Sequence, residues 1–207
     1  MRYFLVAGEA SGDLHASALI RALRAEDPEA SFAFMGGDKM EAAAGVAPIV
    51  HYREVAFMGI VSVIKNLGKL TRIGRQIQAA MRDFAPDVVI PVDYADFNFR
   101  FILPYAKKEL RCPVIYYILP KLWAWRAGRI RQLRRYVDLG LSILPFETNY
   151  FSDRGLRTEY IGNPCVDAKL TYLAEHPEPV EREQMLLLVP GSRQSELRDN
   201  LPEMLAA

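Results

Sequence analysis

The stretch FLVAGEASGDLHASALIRALRA, residues 4–25, decides the fold. A short run of strand-type apolar residues stops at Gly8, and from Leu14 the apolar residues return at helical spacing, so a strand passes directly into a helix. Between them stand Gly8, Glu9, Ala10, Ser11, Gly12 and Asp13. A plain connector needs a turn, but it has no need of two glycines, a hydroxyl and two carboxylates. Gly8 and Gly12 let the backbone turn tightly and approach a ligand, and the first N–H groups of the helix attract an anion or a hydroxyl. Ser11 and Asp13 are also ordinary N-cap residues, and capping is the plainer reading of both. The spacing is not the G-x-G-x-x-G dinucleotide fingerprint, and the acid expected about 20 residues further on has no clear counterpart.

The same alternation runs along the chain. RYFLVAG, SFAFMGG, APIVHY, DVVIPVD, PVIYYIL, LGLSILP and TEYIG read as strands. They alternate with helical patterns near 12–26, 38–44, 59–83, 97–110, 126–136 and 147–154. Near-continuous apolar strands between helices specify an α/β fold, a doubly wound parallel sheet of Rossmann-like type covered on both faces. In such sheets ligands bind beyond the carboxyl ends of the strands. The composition changes over 171–184, TYLAEHPEPVEREQ, which is rich in proline and acid and reads as a linker. MLLLVPGSR then begins another strand, leading through QSELRDNLPEMLAA into a helix. One strand and one helix bury no core of their own. The expected organisation is therefore a domain over 1–170, a linker over 171–184, and the first strand and helix of a further domain over 185–207.

With 207 residues, 51% hydrophobic and 25% charged, the chain is globular rather than disordered. No apolar run approaches the roughly 18 to 20 residues that span a bilayer, and RYFLVAG is too short and strand-like for a signal peptide, so a cytoplasmic protein is expected. Cys112 and Cys165 lie far apart, and His15, His51 and His176 are scattered. This predicts no disulfide, no metal site and no cofactor. The net charge is +1 but unevenly spread. Acid-free stretches carry Lys65, Lys69, Arg72, Arg75 and Arg82, then Arg111, Lys121, Arg126, Arg129, Arg131, Arg134 and Arg135. Such regions suit phosphates, nucleic acid or an anionic membrane, while any one arginine alone reads as part of a solvated helix face. No stacking platform is interleaved with the basic residues, so nucleic acid is not expected as a partner.

Two further loops lie on the same edge. DVVIPVDYADFN ends a buried-type strand in Asp93, followed by Asp96 and Asn98. A carboxylate there is costly to shield unless it is hydrogen-bonded or used, and Asp93 is well placed as a general base; Asp96 fits the N-cap of the next helix. In VPGSRQSE, the backbone after Gly191, the Ser192 hydroxyl and the Arg193 guanidinium converge on a helix start. That is a phosphate site in mechanism, although not a Walker A loop, and a sugar nucleotide diphosphate suits it better than ATP. In PKLWAWR, Trp123 and Trp125 alternate, which assigns one to the core and leaves the other to face a ligand. On a helical wheel Val63, Leu67, Leu70, Ile77 and Met81 form one stripe, the expected core face. Val61 and Ile64 fall well off that stripe and Phe57 and Met58 lie just before it, flanked by Lys65, Lys69 and Arg72; Leu67, although on the stripe, is counted with the same surface. An apolar tip ringed by cations is the composition of a surface that dips into an anionic bilayer; packing against a neighbouring loop or subunit is the alternative.

GEASGD, AFMGIVSV, VDYADFN, PKLWAWR, LPFE, GNPCVD and VPGSRQSE occur in this order, and in them the chain closely resembles the lipid-A-disaccharide synthases. The resemblance covers essentially the whole chain. It implies a glycosyltransferase of GT-B type, two doubly wound domains facing across a cleft, of which this chain holds the acceptor half and the start of the donor half. It also implies transfer of 2,3-diacylglucosamine from UDP-2,3-diacylglucosamine to the 6-hydroxyl of 2,3-diacylglucosamine 1-phosphate, with release of UDP. On that resemblance Asp93 is the base and Arg193, with Gly191 and Ser192, meets the departing phosphate. Gly8, Glu9, Ser11, Gly12, Asp13, Asp96, Asn98, Trp125 and Arg126 bind substrate, Arg126 serving the acceptor phosphate. The implied setting is the cytoplasmic face of the inner membrane, held peripherally, with a homodimer as an option for a longer form. The chain departs from the family at Ala95, where proline is usual, and at Leu119, where serine is usual. Ala95 loosens the turn beside Asp93, and Leu119 removes a hydroxyl beside the cleft. A lone binding module, or a nucleotide-sugar epimerase of similar topology, are the alternative readings.

Overall fold

In the computed structural model, which describes residues 1–55, 67–177, 184–191 and 194–207, Phe4, Leu5, Val6 and Ala7 are all fully buried. They belong to β1 (Arg2–Ala7), which lies between β2 (Ser31–Gly36) and β4 (Val88–Val92). The remaining strands are β3 (Val50–His51), β5 (Ile115–Tyr117), β6 (Leu139–Ser142) and β7 (Thr158–Tyr160). They form one seven-stranded sheet in the order β3-β2-β1-β4-β5-β6-β7, with every pairing parallel. Alternate side chains of β1 feed two separate cores, because a strand points successive residues to opposite faces. Tyr3, Leu5 and Ala7 meet Ala16, Ile20 and Met40. Phe4 and Val6 meet Ile73, Ile77, Met81 and Phe101.

One face of the sheet is covered by α1 (Ala10–Glu26) and α2 (Asp38–Ala44). The other carries α3 (Leu67–Phe84) and a helical stretch made of α4 (Ala95–Phe97), a π-helical turn (Asn98–Ile102) and α5 (Leu103–Lys108). That stretch starts two residues earlier than its pattern suggested. It is followed by α6 (Ile130–Tyr136), α7 (Pro145–Ser152) and α8 (Pro164–Glu175). Among the described residues no helix is long and apolar enough to cross a membrane.

Pro91 sits inside β4, where a proline removes one rung from the ladder. The N–H groups of Val89 and Asp93 donate to the carbonyls of Pro113 and Tyr117. Pro91 falls between them on the same side of the strand. The β4–β5 ladder therefore ends on a rung made by Asp93 itself.

The chain divides into two compact units, Met1–Ala168 and Lys169–Ala207. The division falls inside α8, so residues 171–175, expected in a linker, are helical. Residues 185–191, within the stretch expected to begin a strand, have no regular structure. Met185, Leu186, Leu187 and Val189 are 71–87% exposed. A strand is defined by hydrogen bonds to a neighbour; α9 (Gln194–Ala206) follows the apolar run.

The expected core stripe of the long helix is also revised. Ile73, Gly74, Ile77 and Met81 are its buried residues, and Leu70 is half-buried against the same cluster. Leu67 is 39% exposed, and Val63 lies outside the described residues. Gly74 belongs to the inward face because the Phe101 ring occupies the space of a side chain, 2.5 Å from where a Cβ would stand. Denaturant unfolding of Ile77→Ala should show a loss of about 2–5 kcal/mol, the usual range for emptying a closed core position, whereas Leu67→Ala should change stability by well under half of that.

Candidate functional site

A cavity of about 1130 Å³ opens beyond the carboxyl ends of β1, β4 and β5, lined among others by Glu9, Asp93, Tyr94, Leu119, Trp125, Arg126 and Arg129. It lies where β1 leads outward to β2 on one side and the chain later returns through β4 on the other. Connections diverging from adjacent strands leave a crevice at this point in any doubly wound sheet.

The centre of the site is the turn that leaves β4. Asp93 has φ 43° and Tyr94 has φ 46° and ψ 51°, two consecutive side-chain-bearing residues in the left-handed region, where each costs on the order of 1 kcal/mol or more. The turn is held from outside. The Tyr116 hydroxyl donates to the Asp93 carbonyl at 2.6 Å, and Asn98 Nδ2 donates to the same oxygen at 2.7 Å. Tyr116 and Asn98 are both fully buried, and burial pushes the Tyr116 phenol far above its ordinary range, so it remains a donor. The Asp93 amide is fixed as well, through its bond to Tyr117. With its backbone gripped on both sides, Asp93 presents an exposed carboxylate at the cavity.

Tyr94 closes the floor toward β1. Its ring occupies the space of a side chain at Gly8, with ring carbons 2.1–2.3 Å from the position of a Cβ. The Gly8 backbone is not left-handed, so the glycine is there for this contact and not for a turn, contrary to the sequence reading. Burial first, and then the Glu9 and Asp96 carboxylates, push the Tyr94 phenol up to about 12. Strain recurs around the cavity. Of the described non-glycine residues with positive φ, Asp93, Tyr94, Ile118 and Arg126 all line it.

The GEASGD stretch divides differently from the expectation. Helix α1 begins at Ala10, with Glu9 as its N-cap in extended conformation, so Ser11 and Asp13 are inside the helix and neither caps it. Glu9 is the residue of the stretch that lines the cavity. Ser11 is exposed on the first turn. Gly12 is buried with its Cβ position 3.2 Å from Ala7 Cβ. Asp13 is buried, and its carboxylate accepts from the backbone N–H of Gly37 at 2.8 Å and of Lys39 and Met40 at 3.1 Å. It caps α2, where a carboxylate is favoured by free N–H groups and the helix dipole. The two acids thus split between a cavity wall and an architectural bond.

On the opposite wall Asp96 lies in α4 without capping it, since the position before that helix is Tyr94. It pairs instead with Arg126, at 2.7 Å, and with Arg129. Arg126 also lies over the Trp125 ring, 4.4 Å from its centroid. Trp125 is 62% and Trp123 40% exposed, so neither indole is core. The segment is a loop that turns through a left-handed Arg126, and strand alternation does not apply to it. Asn98 is held inside the wall as a support for Asp93. Leu119 is 2% exposed and packs on Gly140, so its side chain is a buried part of the floor. Gly191 has φ 122°, a conformation suited to glycine, with its Cβ position 2.6 Å from Glu196. Ser192, Arg193, Phe57, Met58, Val61, Ile64 and Lys65 lie outside the described residues, while Leu67 and Lys69 are exposed at the start of α3. Among the described residues no group of His, Cys, Asp or Glu is placed to hold a metal ion. Sequence reasoning passed over Tyr94 and Tyr116. Gly8, read from sequence as a turn residue, was the one local hint of the first, and nothing local marks the second.

Sheet order and cavity position define a Rossmann-like α/β domain with its ligand crevice at the switch point. The family model for lipid-A-disaccharide synthetase matches residues 3–207, and the chain belongs to that family. It is 41% identical to the lipid-A-disaccharide synthase of Myxococcus xanthus over 100% of this chain and 54% of the relative. It is 38% identical to that of Acidobacterium capsulatum over 99% of this chain and 52% of the relative. The chain thus spans about half the length of the curated relatives it matches. Among solved structures, UDP-GlcNAc 2-epimerase from Neisseria meningitidis bound to UDP-GlcNAc superposes with TM-score 0.62 at 14% identity, over 86% of this chain and 50% of that one. The UDP-N-acetylglucosamine 2-epimerase from Rickettsia bellii gives 0.58 at 10%, over 86% and 49%. These two show the fold.

The Gly8–Tyr94 contact is open to a mutant cycle. Gly8→Ala should destabilise by about 1–3 kcal/mol, as forced overpacking does, and should be close to neutral in a Tyr94→Ala background. Equal losses in both backgrounds, measured by denaturant unfolding, would show that the ring is not what excludes a side chain there.

Proposed function

We propose that the chain is the acceptor-binding half of a hexosyltransferase that joins UDP-2,3-diacylglucosamine to 2,3-diacylglucosamine 1-phosphate. The products are the β-1,6-linked disaccharide of lipid A and UDP. The observation that carries the reading is the Asp93 carboxylate, exposed at the cavity on a backbone gripped at both its N–H and its carbonyl, in a chain of the lipid-A-disaccharide synthetase family. The acceptor 6-hydroxyl is a weak nucleophile. Asp93 takes its proton as the oxygen attacks C1 of the donor sugar, and the bond from C1 to the UDP oxygen breaks with its electron pair going to the β-phosphate. Arg193, Ser192 and the N–H groups after Gly191 meet the charge developing there. Trp125 and Arg126, with Arg129 beside them, offer an apolar face and cations to the acceptor and its phosphate. The domain reading accords with this. The first unit takes the acceptor, the segment around 171–184 connects, and 185–207 opens the donor side. The 207-residue chain by itself is expected to be inactive, with no UDP released from the two substrates.

In a protein of the relatives' full length, Asp93→Ala should lower kcat by about 10²–10⁴-fold. Arg193→Ala should produce a loss of comparable order, about 10²–10³-fold. Near-normal turnover by the Asp93 variant would remove the base assignment.

We also propose that the segment from Phe57 to Lys69 rests on an anionic membrane on the cytoplasmic side. Both substrates of the proposed reaction are acylated, the segment's sequence joins apolar residues to Lys65 and Lys69, and Leu67 and Lys69 are exposed. Each basic residue near such a surface contributes about 1 kcal/mol, so binding should weaken as salt rises. In co-sedimentation with vesicles containing anionic lipid, a Val61→Ser/Ile64→Ser/Leu67→Ser variant should bind markedly less than the unmodified protein. Equal binding at every salt concentration would place the membrane contact elsewhere.

A further inference from the structure

Glu147 lies in the first turn of α7 and is 1% exposed. One of its oxygens accepts from Trp123 Nε1 at 2.9 Å, and the other has no hydrogen-bond partner among the described residues. A carboxylate buried in this way is unfavourable unless it makes a bond that an apolar side chain could not. The bond it makes reaches across to the loop between β5 and α6, where Trp123 also rests edge-on against Phe146 with ring centroids 5.0 Å apart. Trp123 stands two residues before Trp125 and three before Arg126, both at the cavity. Glu147 itself is not among the residues that line the cavity.

The loop has other attachments, but they differ in kind. Leu122 is buried and anchors the segment without fixing the direction of the residues after it. Arg126 meets Asp96 through an ion pair whose partners are 44% and 68% exposed, and water and salt compete with a pair of that sort. The Trp123–Glu147 bond runs to an acceptor that is out of water, so solvent does not compete for it, which makes it the stronger directional tie.

We infer that Glu147, acting through Trp123, sets the position of Trp125 and Arg126 at the cavity mouth and is a positioning residue of the site. The tie is a property of the loop, independent of the reaction. That the rim it holds meets the acceptor rests on the function proposed above.

The chain contains two tryptophans, so in a Trp125→Phe background Trp123 is the sole indole emitter. There Glu147→Leu and Glu147→Asp should both shift its emission to the red and increase quenching by iodide. The aspartate fails because its carboxylate is withdrawn by one methylene. Glu147→Gln keeps an acceptor at the same reach and should leave the emission close to that of the parent. Unchanged emission in the leucine and aspartate variants overturns the tie. So does the pattern in which aspartate resembles the parent and glutamine resembles leucine, which would make charge rather than the bond decisive. If the leucine variant does not fold, Trp123→Phe in the otherwise unmodified chain breaks the same bond from its exposed end and leaves Trp125 as the sole emitter, whose iodide quenching should then change; unchanged quenching overturns the inference. In the full-length enzyme, Trp123→Phe and Glu147→Asp should each raise the acceptor KM roughly tenfold with little change in kcat, the signature of lost binding rather than lost chemistry. Adding Glu147→Asp to Trp123→Phe should bring no further rise. An unchanged KM beside a released Trp123 would separate the rim from the acceptor while the tie itself stands.

Discussion

The carbonyl oxygen of Asp93 is the point on which the site depends. It receives the Tyr116 hydroxyl and the Asn98 amide, both from inside the protein, while the amide of the same residue completes the last rung between β4 and β5. Two successive left-handed residues would relax if left to themselves, and buried donors on a single oxygen hold them because an abandoned donor in the interior is expensive. From this one peptide unit the neighbours take their places. Asp93 faces the cavity, Tyr94 turns onto Gly8, and Asp96 comes within reach of Arg126 and Arg129. Asn98 Oδ1, buried without a hydrogen-bond partner among the described residues, marks how much of that residue is committed to the support.

The cavity is assembled from three loops that the sheet brings together, and left-handed residues recur at its rim. Four of the six described non-glycine residues with positive φ line the cavity, the others being Ala85 and Arg111 in connecting segments, which fits a scaffold whose loops are bent to a task. The polar bonds behind the rim follow the same division. Asp13 secures α2 and Glu147 secures Trp123, so the carboxylates that water cannot reach serve the architecture. Glu9, Asp93 and Asp96 are left on the cavity side, facing a wall with Arg126 and Arg129.

The sequence by itself determined the succession of elements and hence the sheet. Hydrophobic periodicity is a local property, and FLVAGEASGD followed by a helical stripe already commits the chain to a strand leading into a helix, repeated until a doubly wound sheet results. It also singled out Asp93, because a carboxylate ending a wholly apolar strand is conspicuous in one dimension. It went astray where a local rule met a long-range one. Leu67 fits a wheel but not the core, and strand alternation at Trp123 and Trp125 assumed a strand where the chain forms a loop. Only the tertiary structure decided what Gly8, Asp13, Asn98, Tyr116 and Glu147 are for. Their partners stand far away in sequence, Asp13 with Gly37, Tyr116 with Asp93, Glu147 with Trp123, and such pairs are chosen by how helices and strands pack, which leaves no periodic trace along the chain.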